Sequence, residues 1–116
     1  MRPEDRDLAY LWDMREAARE VAEFVRGVTF EQYRSRKMVR RAVERQVEVI
    51  GEAASHVSES FQERHPEIPW KLIIGQRNVL AHDYGEILDE RIYRVAVDRI
   101  PELERLLTPL IPRVDT

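Results

Sequence analysis

The 116-residue chain contains no cysteine. This absence excludes a disulfide scaffold, thiol catalysis and zinc sites built on thiolates, and it suits a reducing cytoplasm. Glycine is also scarce, with four residues, and no internal repeat or low-complexity tract is visible. No stretch approaches the roughly 18 uncharged apolar residues of a membrane span, and the N-terminus lacks the apolar run of a signal peptide. We therefore expect a soluble, cytoplasmic protein.

The composition of the chain is that of an ordered helical protein, with 43% hydrophobic and 35% charged residues. Its length predicts one domain over residues 1–116. Because a core of this size leaves little surplus stability, an oligomer would not be surprising. The net charge of −3 and the pI near 5.7 argue against bulk nucleic-acid binding, since affinity for phosphate backbones grows with the cations engaged. RNA contact would need a local basic patch or a partner chain.

Apolar residues recur at three- and four-residue steps, which predicts helices along most of the chain. The first apolar stripe consists of Leu8, Leu11, Trp12, Ala18, Ala22 and Val25. Gly27 then suits the position just after a helix, and Thr29 can cap the next one. A second helical pattern extends from about Phe30 to Phe61, with a kink or break near Ser35.

The two prolines in residues 63–69 predict a loop, because proline disfavours helical geometry in the residue before it. Pro69 suits the first position of a third helix, which reads from Trp70 to about Leu80 or Ala81. Asp89 can cap a fourth helix, and Pro101 is expected to kink or divide it. Residues 109–116 look like a C-terminal tail. Together these segments predict an all-α fold, an antiparallel bundle of four to five helices.

The segment 77–84 carries the clearest signal for function, because it places Arg77, His82 and Tyr84 within eight residues. Arginine keeps its charge at any physiological pH and offers a planar set of donors that fits a phosphate. Histidine, with an ordinary pKa of about 6.5, can take and give a proton near neutrality. A cation for phosphoryl charge and a proton shuttle are the minimum equipment for cleaving RNA without a metal.

The spacing of Arg77 and His82 leaves a structural alternative open. Five residues on a helix are about 140° of rotation, so the two side chains converge only if the helix ends near Ala81 and His82 lies on the following turn. Alternatively, the arginine pairs with a carboxylate and the histidine caps a helix C-terminus. Asn78 could orient the imidazole or satisfy backbone groups. Tyr84 could lie near a phosphate or pack a helix junction, whereas Asp83 reads as a capping residue.

Basic residues cluster between positions 34 and 45. The members at helical spacing predict one stripe, a candidate phosphate track that could equally be a solvated helix face: Arg34, Lys37, Arg41 and Arg45. His56 and His65 lie in no metal-like spacing, and both read as structural. Gly51 within a helical pattern indicates a close approach of another helix. Glu52 beside it is a surface charge or a partner for an arginine, with Arg77 as a candidate.

The ordered segments 50–54, 68–70 and 73–75, followed by Arg77, Asn78, His82 and Tyr84, resemble the HepT-like proteins of the HEPN superfamily. Members are usually encoded beside a minimal nucleotidyltransferase, MntA. The resemblance covers roughly residues 8–107. It implies an all-α bundle that forms a homodimer, with the Arg/His pairs of two protomers facing one composite cleft.

The same resemblance implies a toxin that is a metal-independent ribonuclease with RNA as substrate and no cofactor. His82 would act as general base or acid, Arg77 would stabilise transition-state charge, and Asn78 would help to position the site. Tyr84 would accept AMP from an MntA-type antitoxin, which silences the toxin. Two other functions stay open: a non-catalytic module that docks a nucleotidyltransferase or binds nucleotide, and a purely structural helical dimer.

Overall fold

The computed structural model describes residues 3–112, and their side chains from residue 5 onward. These residues form helices and no β-strand, which confirms the predicted all-α class. The helices are α1 (Pro3–Phe24), α2 (Phe30–Ser35), α3 (Lys37–His56), α4 (Glu59–Arg64), α5 (Trp70–His82), α6 (Gly85–Arg94) and α7 (Ile100–Leu107). A π-helical turn, Val95–Arg99, joins α6 to α7, and a 3₁₀ turn, Thr108–Leu110, follows α7.

One apolar core holds the helices together. Helix α3 contacts both α1 and α5, and α7 also packs against α1. The buried residues that these four helices contribute include Leu11, Met14, Ala18, Val21, Val43, Val47, Ile50, Ile73, Ile100, Leu103 and Leu107. None of the helices in the described part of the chain combines the length and the apolar character needed to cross a membrane.

The first helix is present as predicted, but its buried stripe differs from the predicted one: Met14, Ala17 and Val21 are buried in addition, and Trp12 is not. The stripe includes Leu11, Met14 and Val21, whereas Trp12 is 46% exposed. Trp12 follows Leu11 by one residue, or about 100° around the helix, which turns it away from α3 and α7. The apolar character of the indole does not outweigh the three-and-four-residue periodicity of its neighbours.

The segment between α1 and α3 contains the helix end, the helix cap and the break that the sequence predicts. Gly27 has φ of +69°, a left-handed conformation that favours glycine. Thr29 and Gln32 form a capping box: the Thr29 hydroxyl accepts a hydrogen bond from the Gln32 N–H at 3.1 Å, and the Gln32 side chain accepts one from the Thr29 N–H at 2.9 Å. The predicted break near Ser35 is confirmed, since Arg36 is extended and separates α2 from α3.

The prediction that the second helical pattern runs to Phe61 is wrong. Helix α3 ends at His56, Val57 is extended, and a separate helix α4 begins after Ser58. The Ser58 hydroxyl caps α4 by accepting a hydrogen bond from the N–H of Phe61 at 3.2 Å. Serine competes for backbone hydrogen bonds in this way more readily than it continues a helix.

Asp7 ties the start of α1 to this cap. It is a buried carboxylate in the core, and it accepts hydrogen bonds from the backbone N–H of Ser58 at 2.8 Å and from the Ser58 hydroxyl at 2.6 Å. The two residues lie 51 positions apart. The side chain thereby joins two helix ends that the sequence signals do not connect.

Two proline-containing junctions differ in detail from the predictions. Pro69 occupies the position before the first residue of α5, rather than the first helical position itself. Pro101 divides the last helix as predicted, by way of the π-helical turn before it, in which the Ile100 N–H bonds to the carbonyl of Val95. Since proline lacks an N–H and crowds the preceding turn, a widened turn accommodates it.

Asp89 does not cap the fourth helix. Helix α6 begins at Gly85, four residues earlier, and Asp89 lies within it, 3.7 Å from the Arg40 side chain. The expected tail also begins later than residue 109. Leu110 packs against the core and Ile111 is only 8% exposed, whereas residues 113–116 lie outside the described residues.

Replacement of Asp7 by Asn tests the link between α1 and α4. The amide offers one acceptor oxygen where the carboxylate offers two, so we expect a loss of about 1–3 kcal/mol in the free energy of unfolding. Urea unfolding followed by circular dichroism measures it. Asp13→Asn, at an exposed position of the same helix, is the matched control and should change stability by less than about 0.5 kcal/mol. Equal effects of the two substitutions would contradict this role of Asp7.

Candidate functional site

Helix α5 carries Arg77, Asn78 and His82. It ends at His82, one residue beyond the predicted end, and Asp83 follows as the C-terminal cap with its carboxylate 3.3 Å from Arg91. The capping interpretation of Asp83 is therefore confirmed. The condition for convergence of Arg77 and His82 within one chain, with His82 on the turn after the helix, is not met, since α5 includes His82.

Because Arg77 and His82 share one uninterrupted helix, they point about 140° apart around its axis. Both residues are exposed to solvent rather than packed in the interior. Within one chain the guanidinium and the imidazole therefore lie on different faces of α5. A single active site that uses both groups would need a second protomer to supply one of them.

The side chain of Arg77 is held against α3. A Cβ atom built on Gly51 would lie 3.0 Å from the Arg77 Cγ and 3.3 Å from the carbonyl oxygen of Ile73. The missing side chain thus leaves room for the stem of Arg77, which confirms the close helix approach predicted at Gly51. The guanidinium then reaches Glu52, with an N–O distance of 3.2 Å. The predicted Arg77–Glu52 pair is present.

Glu52 has a second partner, His56, on its other carboxylate oxygen. Its Oε1 lies 3.0 Å from the Nε2 of His56, while its Oε2 faces Arg77. The hydrogen bond with His56 and, second, the charge of Arg77 lower the pKa of the Glu52 carboxyl below its ordinary value. His56 in turn stacks on the ring of Tyr10, with centroids 5.3 Å apart. The anchor of Arg77 is therefore tied through α3 to α1.

The interpretation of His65 as structural fits its contacts. Its backbone carbonyl accepts a hydrogen bond from the indole N–H of Trp70 at 3.0 Å, and its ring lies 4.4 Å from that of Phe61. These contacts join α4 to the start of α5. They position the helix on which the candidate site lies.

An open groove runs along the α3–α5 junction. Its lining residues are Glu48, Lys71, Ile74, Gly75, Arg77, Asn78, Leu80 and Ala81. The groove thus brings Arg77 and Asn78 together, but not His82. The lining of the groove combines one arginine, one lysine and one amide with apolar side chains. This arrangement suits an anionic ligand or the surface of another chain.

Tyr84 lies between α5 and α6 and is 79% exposed. The other three tyrosines differ from it. Tyr33 is fully buried, the Tyr93 hydroxyl donates a hydrogen bond to the carbonyl of Val28 at 2.5 Å, and Tyr10 is half-buried against His56. Tyr84 thus presents its phenol to solvent two residues after His82.

The predicted basic stripe is interrupted. Arg34 lies on α2, and the break at Arg36 separates it from Lys37, Arg41 and Arg45 on α3. Three of the four cations have carboxylate partners: Arg34 pairs with Glu86 at 3.4 Å, Arg41 with Glu44 at 3.1 Å and Arg45 with Glu48 at 3.7 Å. Their charge is largely balanced locally. Across residues 5–112 no group of three or more histidine, aspartate or glutamate residues is arranged to hold a metal ion.

The chain matches a known protein family. The family model described as "Ribonuclease HepT-like" matches residues 14–110. The chain belongs to the HepT-like ribonuclease family. The resemblance inferred from the segments around Gly51, Trp70 and Arg77 is thereby confirmed.

Individual relatives of this HepT-like chain carry related names. "Putative RNase MJ1380" of Methanocaldococcus jannaschii is 34% identical over 97 residues, which are 84% of this chain and 89% of the relative. "Probable ribonuclease HepT" of Thermococcus cleftensis is 35% identical over 95 residues, covering 82% and 86%. No solved structure matches the chain. The predicted enzyme class, a ribonuclease, agrees with the family.

Sequence reasoning did not single out Lys71, which the fold places in the same groove as Arg77 and Asn78. A helical count along α5 could have found it, since residues 71, 75, 78 and 82 recur at four- and three-residue steps. Lys71 precedes Arg77 by about 1.7 turns of helix and so lies outside the segment 77–84 that carries the functional signal.

Two helical glycines provide a matched test of the contact between α3 and α5. A Cβ on Gly75 would meet nothing within 4 Å, whereas one on Gly51 would crowd the Arg77 stem and the Ile73 carbonyl. We expect Gly75→Ala to stabilise the protein by about 0.5–1 kcal/mol through helix propensity, and Gly51→Ala to lose most of that gain because Arg77 must shift. Urea unfolding measures both. The same gain at both positions would argue against a tight contact at Gly51.

Proposed function

We propose that this HepT-like chain is a toxin that cleaves RNA without a metal, with His82 as acid–base catalyst and Arg77 as the stabilising cation. The observation that carries the proposal is that one helix of this HepT-like ribonuclease bears both groups. The His82 imidazole is exposed, and the half-exposed Arg77 guanidinium is held by Glu52. Asn78, beside Arg77 in the groove, supports the position of the reacting phosphate.

The chemistry needs only these groups. His82 takes the proton of a ribose 2′-hydroxyl, whose oxygen forms a bond to the neighbouring phosphorus. The 5′-oxygen of the next nucleotide leaves with a proton supplied by an acid, which a second His82 can provide. The products are a 2′,3′-cyclic phosphate and a 5′-hydroxyl. Arg77 stabilises the negative charge that develops on the phosphoryl oxygens.

A homodimer resolves the divergent directions of Arg77 and His82. Since the two side chains point about 140° apart on α5, a cleft between two protomers can combine Arg77 of one chain with His82 of the other. Two histidines in one cleft would divide the base and acid roles.

The regulation that we propose is transfer of AMP to Tyr84 by an MntA-type nucleotidyltransferase antitoxin. The phenolic oxygen attacks the α-phosphorus of ATP, a new P–O bond forms, pyrophosphate leaves and the phenolic proton is released. The high exposure of Tyr84 supports this assignment, because the other three tyrosines are buried or packed. The adduct would add bulk and negative charge beside the RNA path.

Single substitutions of His82 and Arg77 test the catalytic roles. We expect His82→Ala to lower the rate of RNA cleavage by about 10²–10⁴-fold, the usual contribution of general acid–base catalysis, and Arg77→Ala to cause a comparable loss with an unchanged fold. The measurement is cleavage of a labelled RNA, with analysis of the cyclic-phosphate end. Arg26→Ala, at an exposed arginine in the turn after α1, should retain the parental rate.

Two outcomes of this experiment would replace the proposal. Wild-type protein that binds a nucleotidyltransferase but never cleaves RNA would indicate a docking module. Wild-type protein that neither cleaves nor inhibits growth, with Arg77→Ala altering only stability, would indicate a structural helical dimer.

Mass spectrometry of protein co-expressed with a neighbouring nucleotidyltransferase tests the modification. We expect an adenylyl adduct on Tyr84, loss of RNA cleavage by the modified protein, and no adduct in Tyr84→Phe. The substitution should leave cleavage by the unmodified protein within a few-fold of the parent, because it removes only the acceptor oxygen. An adduct on Tyr10 or Tyr93, or none at all, would refute the assignment.

A further inference from the structure

Four residues define one face of α5: Lys71, Gly75, Asn78 and His82. They follow one another by four, three and four residues, so at 100° per residue they fall within about 60° of one another. The helix is continuous over this span, and the three side chains on the face are exposed. His82 therefore shares its face with Lys71 and Asn78 rather than with Arg77. We call this set the α5 face.

Gly75 has no structural partner that requires a glycine. A Cβ at this position would meet nothing within 4 Å, in contrast to Gly51, where it would crowd another helix. Yet a glycine inside a helix costs about 0.5–1 kcal/mol relative to alanine. Because glycine also permits the close approach of a ligand to the backbone, its place between Lys71 and Asn78 indicates a ligand that passes over α5.

Lys71 supplies a free positive charge on this face. It is exposed, and no carboxylate in the described part of the chain lies within ion-pair distance of it. It borders the groove that also holds Arg77 and Asn78. One residue of the groove lining is acidic: Glu48, on α3. Its carboxylate lies 3.7 Å from Arg45.

The basic set on α2 and α3 offers less net charge. Arg34, Arg41 and Arg45 each have a carboxylate within 3.1–3.7 Å, so Lys37 alone stands without one. A phosphate approaching those arginines must compete with Glu86, Glu44 and Glu48. In a chain with a net charge of −3, unpaired cations near the site contribute most to the attraction of a polyanion.

We propose that single-stranded RNA lies along the α5 face, with Lys71 binding a backbone phosphate a few nucleotides from the bond that is cleaved. The proposal rests on the ribonuclease function and names the path of its substrate. Lys71 and His82 are eleven residues apart, or about 16 Å along the helix axis, which an extended strand of a few nucleotides spans. Gly75 lets the strand pass close to α5, and Asn78 donates to the reacting phosphate.

Binding of a non-cleavable RNA tests this path in the wild-type background. The probe is a fluorescent, mixed-sequence, single-stranded oligoribonucleotide with every 2′-hydroxyl methylated, so that no 2′-oxygen can attack. We expect Lys71→Ala to raise Kd roughly threefold to tenfold and to lower the slope of log affinity against log salt by about 0.7 for each lysine engaged. The matched control is Lys37→Ala, which removes the chain's other lysine and should leave Kd and slope unchanged.

A substitution at Gly75 separates binding from stability. Gly75→Gln adds a side chain to open space, so the protein should become more stable through helix propensity. The same side chain would obstruct RNA on the α5 face, and we expect Kd to rise at least threefold. Weaker binding by a more stable protein cannot arise from unfolding.

The two lysines also give a direct footprint, because they lie on different candidate surfaces. Acetylation of the protein with and without the oligonucleotide, followed by peptide mass spectrometry, should show protection of Lys71 and none of Lys37. Protection of Lys37 alone, or equal Kd for Lys71→Ala and the parent, would overturn the α5 path while leaving the ribonuclease function intact. A parent that shows neither RNA binding nor RNA cleavage would overturn both.

Discussion

The close contact of α3 with α5 at Gly51 is the constraint on which the candidate site depends. A side chain at position 51 would occupy the space of the Arg77 stem and press on the Ile73 carbonyl. With that space free, the guanidinium reaches Glu52, which His56 and the Tyr10 ring hold from the other side. Preorganised charge is more effective in catalysis than charge that must be brought into place during the reaction.

The same contact fixes which way each functional group points. Since Ile73 is buried toward α3 and Arg77 lies against Gly51, the helical period turns Asn78 and His82 toward solvent. One helix thus serves two surfaces, an arginine side that faces α3 and a histidine side that is open. This division is why the proposed catalytic site needs two protomers, and why the proposed path for RNA follows the histidine side.

Charge balance explains how an acidic chain can act on RNA. Many of its arginines have carboxylate partners on the surface, as Arg34, Arg41 and Arg45 show. Exposed pairs of this kind contribute little to stability, but they reduce the local positive potential that a phosphate would feel. The attraction of an RNA phosphate then depends on individual cations that have no carboxylate partner. The position of Lys71 therefore says more about RNA binding than the net charge of the chain does.

Several features were readable from the sequence because they depend on local interactions. The helical periodicity, the Thr29 cap, the break near Ser35 and the division at Pro101 each follow from residues within one or two turns of one another. The close helix approach at Gly51 was also predicted, and the pairing of Glu52 with Arg77 was one of the two alternatives given for Glu52. By contrast, the burial of Asp7 and of Ile111 depends on contacts with distant segments. The sequence by itself determined the all-α class, the family and the residue types of the site. Only the tertiary structure decided that His82 remains within α5, that carboxylates balance most of the basic stripe, and that Lys71 shares a groove with Arg77. Periodicity specifies the direction of a side chain relative to its own helix, whereas its partners depend on the packing of helices that are remote in the chain.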